Sequence, residues 1–240
     1  MIKLFRKIRY NLMKKGKTTK YLKYAIGEII LVVIGILIAL QVNNWNTNRV
    51  DNSNEEKILL ELKKGLQLDK EKMEVQLVKC KQAVRQMKKL QQLLQDKTYP
   101  YSKSLDSLFG EVYGIRKVFL NRAFYEDLKA TSLRIIKNDD IRLQIVQLFE
   151  ENYVEMRDVF SVAEPSINEV TRPYYLQNFN NIKLWTSATP NNFESVWKDT
   201  YYENIVAYRI LSLEVNQLDV YSKTIPVIQK LVDDINSYLE

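Results

Sequence analysis

The 240-residue chain has no histidine, one cysteine (Cys80), six glycines and five prolines. Without histidine it lacks the commonest general base near neutral pH and the commonest zinc ligand. A lone cysteine allows no disulfide within one chain. Glycine and proline are too few for the turns of a loop-rich β-sandwich. No glycine-rich phosphate loop and no nucleophile motif occurs. These absences lead us to expect no enzyme, no cofactor and no bound metal.

An excess of positive charge is also missing from most of the chain, although the net charge is +7. Residues 1–42 hold nine basic residues and one acidic, while 43–240 hold 27 basic and 28 acidic. A nucleic-acid groove needs a basic folded body. This body has none of that excess, so nucleic acid is not an expected partner.

What is present is a run of eighteen residues, Ala25 to Val42, whose only charge is Glu28. As a helix it reaches about 27 Å, enough for the hydrocarbon core of a bilayer. The basic flank before it predicts a cytoplasmic N-terminus, with the rest of the chain exported. The run exceeds the usual core of a cleaved export signal, and Ala39-Leu40-Gln41 is a poor cleavage site, so a permanent anchor is expected. No second run of this length follows, which predicts a single crossing. Tyr21 and Tyr24 on the inner side and Trp45 on the outer side sit where aromatic rings meet headgroups.

Four segments follow from these patterns. Residues 1–24 form a basic cytoplasmic segment, in which Leu4, Phe5, Ile8 and Leu12 make one stripe of an amphipathic helix over 2–15. Residues 25–42 span the membrane, and 43–54 read as a polar linker. Residues 55–240 form a helical domain. Its first long helix, to about Lys97, carries Leu59, Leu62, Leu66, Met73, Leu77, Cys80, Val84, Met87 and Leu94 at three- and four-residue steps, with Asp69 on an expected apolar position. That stripe fits either a coiled coil between chains or the core face of an internal bundle; the helices downstream, which need a face to pack on, favour the bundle.

Shorter helices fit Ser104–Tyr113, closed by Gly114, and Asn121–Thr131, with Ala123, Phe124 and Leu128 on one side. Asn138 caps a helix running to about Ala163. Pro165 starts the next, bent at Pro173, and loop signals fill Asn180 to Asn192. The last pattern, Phe193 to Leu239, turns Val206, Ile210, Leu213, Leu218, Ile225, Ile228, Leu231 and Ile235 inward, with a kink at Pro226. The expected fold is all-α: one N-terminal transmembrane helix, then an extracytoplasmic helical bundle with long first and last helices.

The pieces Phe5-Arg6-Lys7-Ile8-Arg9, Lys20-Tyr21-Leu22-Lys23-Tyr24-Ala25-Ile26-Gly27-Glu28 and Gly35-Ile36-Leu37-Ile38-Ala39-Leu40-Gln41-Val42-Asn43-Asn44-Trp45 closely resemble the start of an uncharacterised family of single-pass proteins common in Bacteroidota. Ala123-Phe124-Tyr125-Glu126-Asp127-Leu128-Lys129 is similar to a short helix in the soluble part of that family. The resemblance implies a bacterial inner-membrane protein with a helical periplasmic domain. It brings no established activity and so no catalytic residues.

Within the anchor, Glu28 is the one ionisable group, and such groups are costly in lipid. It lies about 6 Å along the axis from Tyr24, close enough to the headgroups to snorkel or to pair with Lys20 or Lys23. Gly27, Gly35 and Ala39 keep one face small, which suits close approach of a second helix. The expected contacts are the lipid bilayer, and a second copy or another envelope protein. Two readings of function result: a membrane-anchored binding or scaffolding module, or an accessory subunit in which Glu28 serves ion coupling or assembly. The carboxylate pairs Asp139-Asp140, Glu150-Glu151 and Asp233-Asp234 diverge by about 100° on a helix and read as caps and solvated faces. The aromatic group Tyr174, Tyr175, Phe179, Trp185, Trp197, Tyr201 and Tyr202 reads as core, or as the wall of a pocket.

Overall fold

The computed structural model of the chain describes Tyr10, residues 18–120, 122–131 and 133–240. It is mostly helical and divides into two compact units, Met1–Glu56 and Lys57–Glu240. The amphipathic helix expected over 2–15 lies outside the described residues, Tyr10 apart. So do the rings of Tyr21 and Tyr24.

The first helix, α1, spans Thr18–Leu93. The polar segment 43–54, expected as a linker, is helical throughout. It contains neither proline nor glycine, and nothing in it breaks the ladder already running. In the first unit every residue from 31 to 50 is exposed. The apolar window that begins at Ala25 has a mean hydropathy of 2.6 and none of its residues is buried, making it a candidate membrane span.

The second unit begins with the remainder of α1. The stripe read from the sequence faces the core: Leu59, Leu62, Leu66, Met73, Cys80, Val84, Met87 and Leu94 are buried and Leu77 is half-buried. The chain's own helices cover it. The helices that follow are α2 (Leu105–Val112), α3 (Ala123–Thr131) and α4 (Asp139–Gln147). Asn138 caps α4, its side chain accepting from the amides of Asp140 and Ile141 at 3.0 Å. On α3 the inward residues are Tyr125 and Leu128, while Ala123 points to solvent and Phe124 is half-buried.

From Asp139 to Asn178 the chain is helical without a break. A π-helical turn at Leu148–Asn152 leads into α5 (Tyr153–Pro165), and a second at Ser166–Thr171 leads into α6 (Arg172–Asn178). Pro165 therefore ends a segment rather than starting a new helix. A proline interrupts the i to i−4 ladder, and the wider turn after Pro165 re-pairs the backbone through Arg172 N–H to Ile167 O.

The segment read as loop holds the only strands among the described residues, a hairpin of β1 (Phe179–Lys183) and β2 (Ser187–Pro190). The strands are antiparallel, pairing Phe179 with Pro190 and Asn180 with Thr189. Too few residues alternate for a period of two to be visible. The C-terminal pattern is broken where one long helix was expected, into α7 (Phe193–Trp197), α8 (Thr200–Ser212), a π-helical turn (Leu213–Leu218) and α9 (Asp219–Leu239). Asp199 breaks it first, its carboxylate capping the Tyr201 amide at 2.8 Å. The helix α9 runs on through Pro226, whose missing donor faces solvent. Six of the eight expected inward residues are buried, and Leu218 and Ile225 are half-buried.

Two polar contacts set the direction of the C-terminal segment along α1. Lys63 donates to Asn236 at 2.9 Å, and Lys88 pairs with Glu214 at 2.6 Å. The rising number on one side meets the falling number on the other, so the two run antiparallel.

Candidate functional site

The residues expected to meet lipid or a partner stand on the α1 helix of the first unit. A Cβ built at Gly27 or at Gly35 meets nothing within 4 Å, so both present bare backbone. Ala39 is exposed and Glu28 is partly covered. Trp45 is exposed, and the Arg49 guanidinium lies 5.7 Å over its ring. A cation over an indole suits the headgroup zone, where one face is apolar and the other wet.

The second unit buries several polar groups. Asp69, on an apolar position of the stripe, is buried and accepts from Lys72 Nζ at 3.1 Å and Tyr153 Oη at 3.2 Å. The π-helical turn at 148–152 precedes Tyr153 directly; a buried carboxylate is tolerable there because both oxygens have a donor. Sequence reading noticed Asp69 as a flaw in the seam and could not find its partner, 84 residues away.

A second polar knot surrounds the end of α2. Arg209 is 1% exposed; its Nη2 donates to Gly114 O at 2.9 Å and its Nε to Val112 O at 3.3 Å. Burial pulls its guanidinium down to about 10, while Tyr175 and Cys80 act in the opposite sense. Beside it Arg116 pairs with Glu111 and lies 5.9 Å beneath the Trp185 ring. Trp185 holds a left-handed backbone (φ 61°) at the hairpin tip and covers Gly114, whose φ of 126° suits glycine alone. Cys80 is fully buried, and desolvation pushes its thiol up to about 11, against the lowering influence of Arg116 and Arg209. At neutral pH it is a packed thiol rather than a nucleophile.

The aromatic group is divided by the fold. Tyr174, Tyr175, Phe179, Trp197 and Tyr202 are buried together with Phe109, while Trp185 and Tyr201 stay at the surface. Tyr175 stacks on Phe179 with centroids 4.3 Å apart, donates to Phe109 O at 2.6 Å, and meets the Tyr202 hydroxyl at 2.9 Å. The group is core with its hydroxyls satisfied, and its default reading holds for five of the seven. Two of the carboxylate pairs have a member held from another element. Glu150 accepts from Lys129 at 2.6 Å and Tyr125 at 2.9 Å, and Asp234 accepts from Gln144 at 2.8 Å. Among the described residues no set of three or more metal-ligating side chains is placed to hold an ion.

Several grooves indent the surface of the second unit. An open one of about 800 Å³ lies between α4 and α9 and is lined by Gln144, Lys230, Asp234 and Tyr238 among others. A more apolar one, of about 340 Å³, lies between the π-helical turn 166–171 and α8; its walls are Ser166, Val170 and Thr171 against Tyr201, Asn204, Ile205 and Tyr208. Sequence reading followed only the inward face of this segment and missed the outward one. The signal was available as apolar residues recurring at three and four on the opposite side.

Comparison with known proteins gives one result of substance. No curated protein and no solved structure matches the chain. Residues 28–215 match a family of unknown function (DUF6090), a match that takes in Glu28, Gly35, Ala39, the α3 helix and α8. It covers well over half of the sequence, and the chain belongs to that family of unknown function.

Proposed function

We propose that this protein is a single-pass, membrane-anchored helical module that binds or scaffolds other components at the bacterial inner membrane, with a cytoplasmic N-terminus and residues 55–240 in the periplasm. The observation that carries this reading is the eighteen-residue apolar stretch, none of whose residues the protein buries. Large aliphatic side chains from Ile29 to Leu40 are about half exposed. In water, burying one of them is worth roughly 1.5–3 kcal/mol, so leaving the whole set bare needs another solvent, and lipid is one. The nine basic residues before the run support the orientation. The resemblance of the anchor to a Bacteroidota family supports the inner membrane.

The reading leaves the second unit as a rigid core with grooves and assigns it no catalytic step. Its partners are the bilayer and a second copy or another envelope protein, and it needs neither nucleic acid nor cofactor. The test is fractionation of native cells. The chain should remain in the membrane pellet after alkaline carbonate, and protease added to spheroplasts should remove the C-terminal unit while sparing the N-terminus. Recovery in the carbonate supernatant, or a protected C-terminal unit, overturns it.

A second reading rests on Glu28, the one ionisable group in that stretch. As part of an accessory subunit, its carboxylate would serve ion coupling or assembly. Glu28→Gln separates the two: a lost phenotype at normal abundance favours the subunit, and an unchanged one favours the scaffold.

A further inference from the structure

The outward face of α8 has a pattern that neither the core nor the anchor accounts for. Between 201 and 215 the exposed residues are Tyr201, Asn204, Tyr208, Leu211 and Val215. Their spacing is three, four, three, four, the step of a helix–helix seam. The four apolar members are 51–60% exposed. None of the five is charged, in a chain of which 27% is charged.

We infer that this face is a pairing seam for a second copy of the same chain. The seam opens onto the apolar groove of about 340 Å³ whose far wall is Val170 and Thr171, so an incoming helix meets a trough and not a convex surface. Charge argues for a second copy as its occupant. The two carboxylates beside the seam are already committed within the chain, Glu203 to Lys97 and Glu214 to Lys88. Two identical faces therefore meet with no uncompensated like charges, and no excess charge is left to select a partner of opposite sign. Tyr208 is the midpoint of the seam and meets its twin whether the helices run parallel or antiparallel. Asn204, a polar residue on such a seam, fixes the register at some cost in stability.

The seam is short, about 21 Å, and covers less than the roughly 800 Å² per partner of a standard interface. Pairing is therefore weak in dilute solution and relies on confinement in the bilayer to raise the effective concentration. In that respect it rests on the anchored reading above.

The test uses the full chain in native membranes, with Tyr208→Cys and copper-phenanthroline as oxidant. The unaltered chain serves as blank because its one thiol, Cys80, is sealed in the core. Tyr208→Cys should give a self-linked dimer on the order of tenfold above Lys89→Cys, an exposed position on α1 that is not a member of the seam. Adding Leu211→Glu, at a position already exposed, should reduce that dimer on the order of tenfold by setting like charges across the seam. A yield no greater than that of Lys89→Cys overturns the proposal, as does a link to a different protein. The same fractionation keeps the two readings apart: unlinked chain in the pellet removes the pairing and keeps the anchor, and linked chain in the supernatant does the reverse.

Discussion

Gly110 and Gly65 show how one missing side chain can have opposite meanings. A Cβ at Gly110 would collide with the backbone of Thr186 and Ser187, because β2 lies directly on α2. Backbone cannot rotate aside as a long side chain can. Gly110→Ala should therefore cost about 2 kcal/mol or more through overpacking. At Gly65, within α1, the same Cβ meets nothing within 4 Å. Gly65→Ala should stabilise by about 0.5–1 kcal/mol, the ordinary helix preference of alanine. Denaturant unfolding of both variants of the detergent-solubilised chain checks the pair. Shifts of the same sign would show that the hairpin does not rest where the structure puts it. Neither outcome was legible beforehand: a glycine in a sequence reads as a turn or a weak point until its neighbours are known. Gly114, expected to close the helix over 104–113, was legible as a stop near the end of α2; its φ of 126° and the Trp185 ring against it were not.

Element by element, the buried stripes of α1 and α9 were the most readable, though not the helix bounds, because a long helix that buries one face repeats its apolar step many times. The hairpin and the π-helical turns were not, since each is set by a few residues whose reason lies elsewhere in the chain. Asp69 is the clearest case. On α1 it looks like an error in the stripe; the turn at 148–152 and Tyr153 after it supply its donor. Tyr153→Phe should cost about 1–3 kcal/mol by withdrawing a donor from a buried carboxylate. Adding Asp69→Leu should recover much of that loss, since a packed apolar pair needs no donor. Thermal unfolding of the two single variants and the double variant reads the coupling. Strict additivity would mean that the two side chains do not interact.

For the whole second unit, the tyrosines set the response to alkali. Burial raises Tyr153, Tyr174, Tyr175, Tyr202 and Tyr221, and Tyr125 is pushed up to about 12. In the unfolded chain each ionises near 10. A raised folded value means stability that is complete below pH 10 and lost as pH climbs from there through about 12. Cys80, up to about 11, acts in the same direction. Arg209, drawn down to about 10, opposes them, but it is one group against several. The tyrosinate absorbance should therefore rise in two stages, exposed rings first and buried rings together with loss of helix. A single smooth rise with the helix intact would contradict the burial. That so many tyrosines are interior was half legible: their clustering around 174–202 suggested core, while the aliphatic seam on the far side of α8 was hidden by the inward pattern beside it.

The sealed thiol has a consequence for where such a chain can work. With its one thiol buried in the core and no bridge to make or break, the folded protein is indifferent to the thiol–disulfide poise of its surroundings. It needs no oxidase to mature and offers nothing to a reductase, so the same fold serves an oxidising compartment and a reducing one alike.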